Sequence, residues 1–512
     1  MGTTRVAVIG AGIGGLVAGL ELAARGLDVT IVERAATPGG KMRRVEVGGS
    51  RIDAGPTVLT MRWVLEETFA SAGGRLDAEV TLRPASILAR HAWDADQRLD
   101  LHADMERSAD AIGIFAGADA ARGYRAFCAQ ARRIYETLDG PFIRAGRPSV
   151  PALVRGVGLG RLGDLWSIRP FDTLWRALGE HFADPRLRQL FGRYATYCGS
   201  SPFNAPATLM LVAHVEQSGV WLVEGGMQRI AEALAALAAH NGATLRYRAE
   251  AAQITTGPRG VDGVLLADGE RLAADAVVVN ADVAAVADGL LGRAVAKAVS
   301  PPRAASRSLS ALTWAMSAGT AGFPLVRHNV FFSSDYAAEF DDILVRRRLP
   351  SAPTVYVCAQ DRGDAGDPLA GPERLLCLVN APATGDSDPF DAAEIEPCTQ
   401  RAFALLERCG LHIARRPEAT RVTTPRDFDR LFPGTGGALY GQASHGWRAS
   451  FERPGARTRV AGLYLAGGST HPGPGVPMAA LSGRLAAQSL LEDLASTRRS
   501  RRTAMSGGIS MR

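Results

Sequence analysis

Gly10-Ala11-Gly12-Ile13-Gly14-Gly15 puts glycine at the positions where a phosphate-binding turn needs it. Gly10 permits the tight turn, Gly12 lets the backbone approach a pyrophosphate, and Gly15 allows a following helix to pack closely on a strand. A helix starting there offers unpaired N–H groups and its positive dipole end to phosphates. Glu33, closing the next apolar run, can accept hydrogen bonds from a ribose. A second group of special residues lies at the far end of the chain. Gly467-Gly468-Ser469-Thr470-His471-Pro472-Gly473-Pro474-Gly475-Val476-Pro477-Met478 is a glycine- and proline-dense loop running into small, helix-forming residues.

The elements needed to position these residues are visible around them. Residues 5–9 form a short β-rich apolar run, Leu16, Leu20 and Leu22 begin a helical pattern, and residues 28–32 read as a second strand. Strand, turn, helix, strand and acid in that order distinguish the segment from a glycine-rich turn that binds nothing. The apolar stretch 6–24 also has the length of an export signal. Four glycines, almost no basic leader and a following strand argue against that reading. The turns Thr37-Pro38-Gly39-Gly40-Lys41 and Asp53-Ala54-Gly55-Pro56-Thr57 suggest a cofactor followed well beyond its pyrophosphate, which favours FAD over NAD.

A chain of 512 residues with 46% hydrophobic and 21% charged residues is an ordinary globular protein with two or three domains' worth of core. No segment has the apolarity of a spanning helix. The net charge of +6 is concentrated in a tail from Ser496 that holds Arg498, Arg499, Arg501, Arg502 and Arg512; without these five, 53 basic residues face 52 acidic ones. Such a tail is either solvated or drawn to anionic lipid, and no aromatic or groove-reading motif supports nucleic-acid binding. The six cysteines show no metal-like spacing, so no metal site is expected and free thiols in a reducing, cytoplasmic compartment are.

The expected fold class is α/β: a Rossmann-like FAD-binding domain of discontinuous segments with an inserted mixed-sheet and helical substrate domain. Residues 1–85, 223–290 and 421–495 are assigned to the FAD-binding domain. Residues 86–222 form a helical, membrane-facing region, 291–420 a substrate-domain sheet and helix, and 496–512 a basic flexible tail. Within 142–176, Arg144, Arg147, Arg155, Arg161, Arg169 and Arg176 interleave with apolar residues. That pattern suits either a membrane interface or a buried helical lid.

Together these motifs resemble the bacterial carotenoid desaturases, a branch of the flavin amine oxidase-like oxidoreductases, over nearly the whole chain to about Leu494. FGRYATYCGSSPFNAPATL at 191–209, HNVFFSSDYAAEFDDI at 328–343, PTVYVCAQDR at 353–362 and ERLLCLVNAPA at 373–383 are similar to the 1-hydroxycarotenoid 3,4-desaturases, or methoxyneurosporene dehydrogenases. The resemblance implies FAD as cofactor and a long acyclic C40 polyene with a tertiary 1-hydroxyl as substrate. By the same carry-over, Gly10, Gly12, Gly15, Glu33 and Lys41 should hold the adenosine and pyrophosphate part, with Ala251 near adenine. Gly55, Pro56 and Thr57 should approach the flavin, and Gly467, Gly468, Pro477 and Met478 should lie along ribityl and isoalloxazine.

The implied reaction removes a hydride equivalent from C4, allylic to the polyene, and leaves the C3 proton strongly acidic. A weak base or water can accept that proton, so no catalytic triad is required. His471 is the titratable residue of the C-terminal motif, as a proton relay or as a loop-fixing histidine. Tyr194, Tyr197 and His445 are candidates for recognising the 1-hydroxyl, and Trp314, Phe331, Phe332 and Trp447 for lining a polyene tunnel; core packing is the plainer reading of each. Quinone and oxygen both remain open as electron acceptor. The expected location is cytoplasmic, peripheral on the inner or intracytoplasmic membrane. A related carotenoid flavoprotein (phytoene-type desaturase, isomerase or ketolase) and a non-catalytic lipid-binding escort on the same fold are the alternatives.

Overall fold

The computed structural model describes residues 3–146, 148–157, 168–363 and 371–506. Its first sheet is parallel, with strands Leu463–Leu465, Ala276–Val279, Arg5–Ile9, Asp28–Glu33 and Thr244–Tyr247 in that spatial order. Strands covered on both faces carry continuous apolar runs. Val277, Val278 and Val279 accordingly have no accessible surface. The sheet draws on the first, middle and last parts of the chain, so the dinucleotide turn and the C-terminal loop meet only through folding.

Helix Ile13–Ala23 is buried along its whole length. It packs against the C-terminal helix Val476–Ser506 at glycine-to-glycine distance, since a Cβ on Gly483 would lie 2.3 Å from the Gly14 carbonyl. That helix continues to Ser506, so the expected flexible tail is helical to that point, while Arg512 lies outside the described residues.

The second sheet has seven strands in the order Thr420–Thr423, Ser310–Ala318, Glu373–Ala381, Val355–Ala359, His328–Phe331, Ile87–Ala92 and Arg98–His102. All its pairings are antiparallel except that of His328–Phe331 with Ile87–Ala92. The mixed sheet is the expected one, but it also takes in residues 87–102 and 420–423. The sequence places 87–102 in the helical region and 421–423 in the last FAD segment. Helix Ala392–Arg408 covers one face, with Trp314 packed edge-on against Phe403 at 5.6 Å.

A helical layer closes the other side. Helix Ala118–Leu138 presents Tyr124, Phe127, Ala131 and Ile134 to a core shared with Phe182, Phe191 and Met210. Arg147 and Arg161 of the basic stretch lie outside the described residues. Arg144 pairs with Asp139 and Glu67, Arg169 with Asp172 and Glu180, and Arg176 with Asp172. Much of the stretch's charge is therefore balanced within the protein. No helix among the described residues is long and apolar enough to cross a membrane.

Candidate functional site

The N-terminal turn has the geometry its glycines predict. A Cβ on Gly15 would sit 2.1 Å from the Gly10 carbonyl oxygen. Gly10 itself has φ +95°, a left-handed conformation suited to glycine. Helix Ile13–Ala23 starts at Gly12 with no side-chain cap, which leaves its first N–H groups for a ligand. Thr37–Lys41 folds directly over this turn, because a Cβ on Gly40 would lie 3.2 Å from the Gly12 Cα and the Gly39 N–H donates to the Ala11 carbonyl at 2.9 Å. Glu33 is buried beside it, its carboxylate accepting the Ala11 and Ala35 N–H groups at 2.7 and 2.8 Å. Ala251 opens the strand Ala251–Gly257, two residues past Ala249, whose N–H donates to the Glu33 carbonyl.

Asn280 joins the two ends of the chain. It follows the strand Ala276–Val279, and its side-chain amide lies 2.6 Å from where a Gly12 Cβ would be, and 2.8 Å from that of Gly467. Its position closing a buried strand was visible in sequence, but not its contact with both glycine-rich loops. Lys41 is buried and its Nζ donates to the Leu439 carbonyl at 2.6 Å, over the Phe432 ring. Burial lowers its pKa, against the opposing effect of Asp282.

Gly55, Pro56 and Thr57 line a cavity of about 390 Å³, and so do Pro477 and Met478. Gly467 and Gly468 stand just behind, with the Gly467 N–H donating to Ser482 and the Gly468 carbonyl accepting from Arg453. Its apolar lining includes Leu138, Ile143, Leu209, Val212 and Val215. It also reaches Trp447, which is 37% exposed and marks the mouth. The exposed Phe171 packs edge-to-face on Trp447 at 5.7 Å.

Polar side chains concentrate where strands Val355–Ala359 and Glu373–Ala381 meet the helical layer. Tyr356 lines the cavity, its Oη 2.7 Å from Thr57 Oγ1 and 2.7 Å from His328 Nδ1. Burial pushes the His328 pKa down to about 3, with Arg327 and Arg193 adding to the effect, so the ring is neutral. Tyr197 also lines the cavity, and its hydroxyl donates to Glu216 at 2.8 Å. Burial raises the Glu216 pKa, against hydrogen bonds from Tyr194 and Tyr197 that favour the carboxylate. Arg193, Asn380, Tyr440 and Arg453 complete the polar lining.

Several expected positions are corrected. Tyr194 is buried away from the main cavity, with its hydroxyl committed to Glu216 at 2.7 Å. Trp314, Phe331 and Phe332 are fully buried core residues; Phe331 packs on Phe323 at 4.8 Å and Phe332 stacks on Trp93 at 5.0 Å. His445 fixes a turn by accepting the Ser201 N–H at 3.1 Å. His471 is turned to the Phe142 carbonyl at 2.9 Å and packs edge-on to the Phe142 ring. Its neighbour Pro472, not His471, reaches the cavity. Tyr197 and Trp447 are among the residues that line the cavity. Sequence reasoning missed Arg193, Glu216, His328 and Tyr356, although three of the four fall inside stretches quoted above for their resemblance.

A parallel dinucleotide sheet, with an apolar cavity lined by the Gly55–Thr57 turn and the C-terminal Pro474–Met478 loop, defines a flavin oxidoreductase. Residues 13–491 match the family described as flavin-containing amine oxidoreductase, and the chain belongs to that family. The uncapped helix at Gly12 and the close-packed glycine turns fit its cofactor, FAD. The chain is 58% identical over 511 residues to hydroxyneurosporene desaturase from Rubrivivax gelatinosus, covering 100% of this chain and 97% of the relative. It is 45% identical to the protein of the same name from Cereibacter sphaeroides, covering 97% and 99%. Among solved structures, an oxidoreductase from Methanosarcina mazei shares the fold at 17% identity, with a TM-score of 0.61 and coverage of 95% and 100%.

Proposed function

We propose that the protein is an FAD-dependent carotenoid dehydrogenase. It introduces the C3–C4 double bond into acyclic 1-hydroxy or 1-methoxy carotenoids such as 1-hydroxyneurosporene, a step in spheroidene- or spirilloxanthin-type pigment synthesis. The observation that carries this reading is the 58% identity to a hydroxyneurosporene desaturase over the full chain. The cavity supports it, being lined mainly by apolar side chains with a few polar ones, among them Thr57, Arg193 and Tyr356.

FAD, when bound, supplies the two-electron acceptor for the hydride. The protein's part is to exclude water and align the C4–H bond, which the wall of Leu209, Val212 and Val215 can do for an extended polyene. The remaining C3 proton needs only a weak acceptor. Tyr356 Oη, bonded to Thr57 and to the neutral His328, is the atom we assign to accept it while the hydroxyl's own proton moves to His328 Nδ1.

A peripheral membrane position suits this substrate, which partitions into lipid. Phe171, 66% exposed, and Trp447 form an apolar rim beside the cavity mouth, and the Arg448 guanidinium lies over the Trp447 ring at 5.2 Å. Aromatic and arginine side chains together favour the lipid–water boundary. Incubating the purified protein with a series of acyclic polyenes tests the substrate assignment. Desaturation at C3–C4 of the 1-oxygenated members is expected, and a product changed elsewhere would refute it.

A further inference from the structure

Arg193 begins the short helical segment Arg193–Cys198, is partly buried, and lines the cavity. Its guanidinium carbon stands 5.3 Å from the centre of the Tyr356 ring and 5.7 Å from that of Tyr197. Two ring contacts of this kind hold a planar cation by its faces. Among the described residues no carboxylate pairs with it. Burial disfavours its charge, while Tyr197, Tyr336, Tyr356 and Glu216 favour it; one of its donors meets the Tyr197 hydroxyl, and both Glu216 oxygens accept tyrosine hydroxyls.

A guanidinium has five N–H donors and no acceptor. Leaving such donors unmatched against an apolar ligand is costly. An acyclic carotenoid offers hydrocarbon everywhere except at an oxygenated end. Resting on the substrate reading above, we propose that Arg193 donates a hydrogen bond to the oxygen on C1 and so sets the preference for 1-oxygenated chains. A donor-only group takes an oxygen lone pair whether that oxygen carries hydrogen or methyl. Hydroxy and methoxy ends are therefore both accepted.

The location agrees with the chemistry. C1 is two bonds from C3, so the group binding its oxygen must share a cavity with the residues that face the reacting bond. Arg193 shares one with Thr57, Tyr356 and Met478. A purely structural Arg193, present only to balance Glu216, would have no reason to distinguish one polyene end from another.

The test uses the FAD-loaded full chain and its Arg193→Gln and Arg193→Lys variants. The substrates are 1-hydroxyneurosporene, 1-methoxyneurosporene and neurosporene, whose ends carry no oxygen. kcat/KM is measured for each, with flavin absorbance and melting temperature as checks on folding, and binding is titrated for any variant too slow to assay. The wild type is expected to favour the oxygenated substrates by roughly 100-fold or more, as for sites built around a substrate hydroxyl. Arg193→Gln should lose about 10-fold or more of that preference, mainly through KM, consistent with loss of a hydrogen bond to a charged donor. Arg193→Lys, which keeps the charge beside Glu216 but not the fork, should lose about 3-fold or more and decides the matter if Arg193→Gln fails to retain flavin. An unchanged preference, or equal losses on all three substrates, overturns the Arg193 assignment and leaves the substrate reading standing. A wild type that desaturates none of the three overturns the substrate reading itself.

Discussion

The hydroxyl of Tyr356 lies 2.7 Å from Nδ1 of His328. Tyr356 thus presents its hydroxyl in the polar part of the cavity lining, next to Thr57, with His328 hydrogen-bonded behind it. If Tyr356 passes the C3 proton inward, Tyr356→Phe should lower kcat by about 10- to 100-fold with KM little changed, the range of a lost general acid–base group. Burial holds the His328 pKa near 3, so the ring stays neutral and its titration adds no inflection to kcat between pH 5 and 9. Stopped-flow measurement of flavin reduction across that range checks both points, and a wild-type rate in the Phe variant removes Tyr356 from the mechanism.

Three buried histidines make stability depend on pH in a defined direction. Burial lowers the pKa of His91 and of His471 to about 4 and that of His328 to about 3, all from 6.5. Below about pH 6.5 the unfolded chain binds protons that the folded chain refuses. Their contribution is complete above that pH and is lost as pH falls toward 4. Each histidine adds a slope of up to about 1.4 kcal/mol per pH unit in this window. His91→Phe preserves an aromatic ring next to Phe332 and should flatten the slope of urea stability between pH 7 and 5. An unaltered slope would show that His91 is not neutral in the folded state.

The glycines of the dinucleotide turn should not be equally sensitive. A methyl group on Gly15 meets the Gly10 carbonyl at 2.1 Å, which is backbone and cannot yield. On Gly12 it meets the tip of the Asn280 side chain at 2.6 Å, which can turn aside. Gly15→Ala should therefore lose nearly all bound flavin, whereas Gly12→Ala keeps a measurable fraction. Gly12→Glu, which puts a carboxylate into pyrophosphate space, should keep none. Flavin-to-protein absorbance ratios after purification decide this, and a fully yellow Gly12→Glu protein contradicts the site.

Phe171 stands outside the cavity, and its effect should be on membrane binding alone. Phe171→Ser removes most of an exposed aromatic ring, worth roughly 1.5–3 kcal/mol when fully buried in an apolar phase. Partition to anionic vesicles should fall several-fold, with kcat/KM in detergent unchanged. Equal flotation of the two proteins would move the membrane contact elsewhere.

The local code was legible where backbone geometry dictated residue type. The glycine turn, Glu33 and the buried strand ending before Asn280 all lie where the pattern places them. The apolar run around Trp314 reads as a strand, but its pattern does not say which face would meet the cavity. An aromatic residue in an apolar strand fits a core or a tunnel equally well, and here Trp314 is core. Tyr194 and Tyr197 lie one turn apart on the same short helical segment and both reach Glu216, yet only Tyr197 lines the cavity while Tyr194 packs near Phe191. The contacts of Tyr356 with Thr57 and of Arg193 with Tyr356 join residues far apart in sequence. No periodicity records such contacts.

The central claim is that this protein moves two electrons from a 1-oxygenated carotenoid to its flavin while forming the C3–C4 double bond. Anaerobic mixing of the FAD-loaded protein with 1-hydroxyneurosporene tests it most directly. Bleaching of the oxidised flavin band, in step with one equivalent of the 3,4-didehydro product, is the predicted result. A flavin that stays oxidised in the presence of bound carotenoid, or a product altered at another bond, would contradict the account.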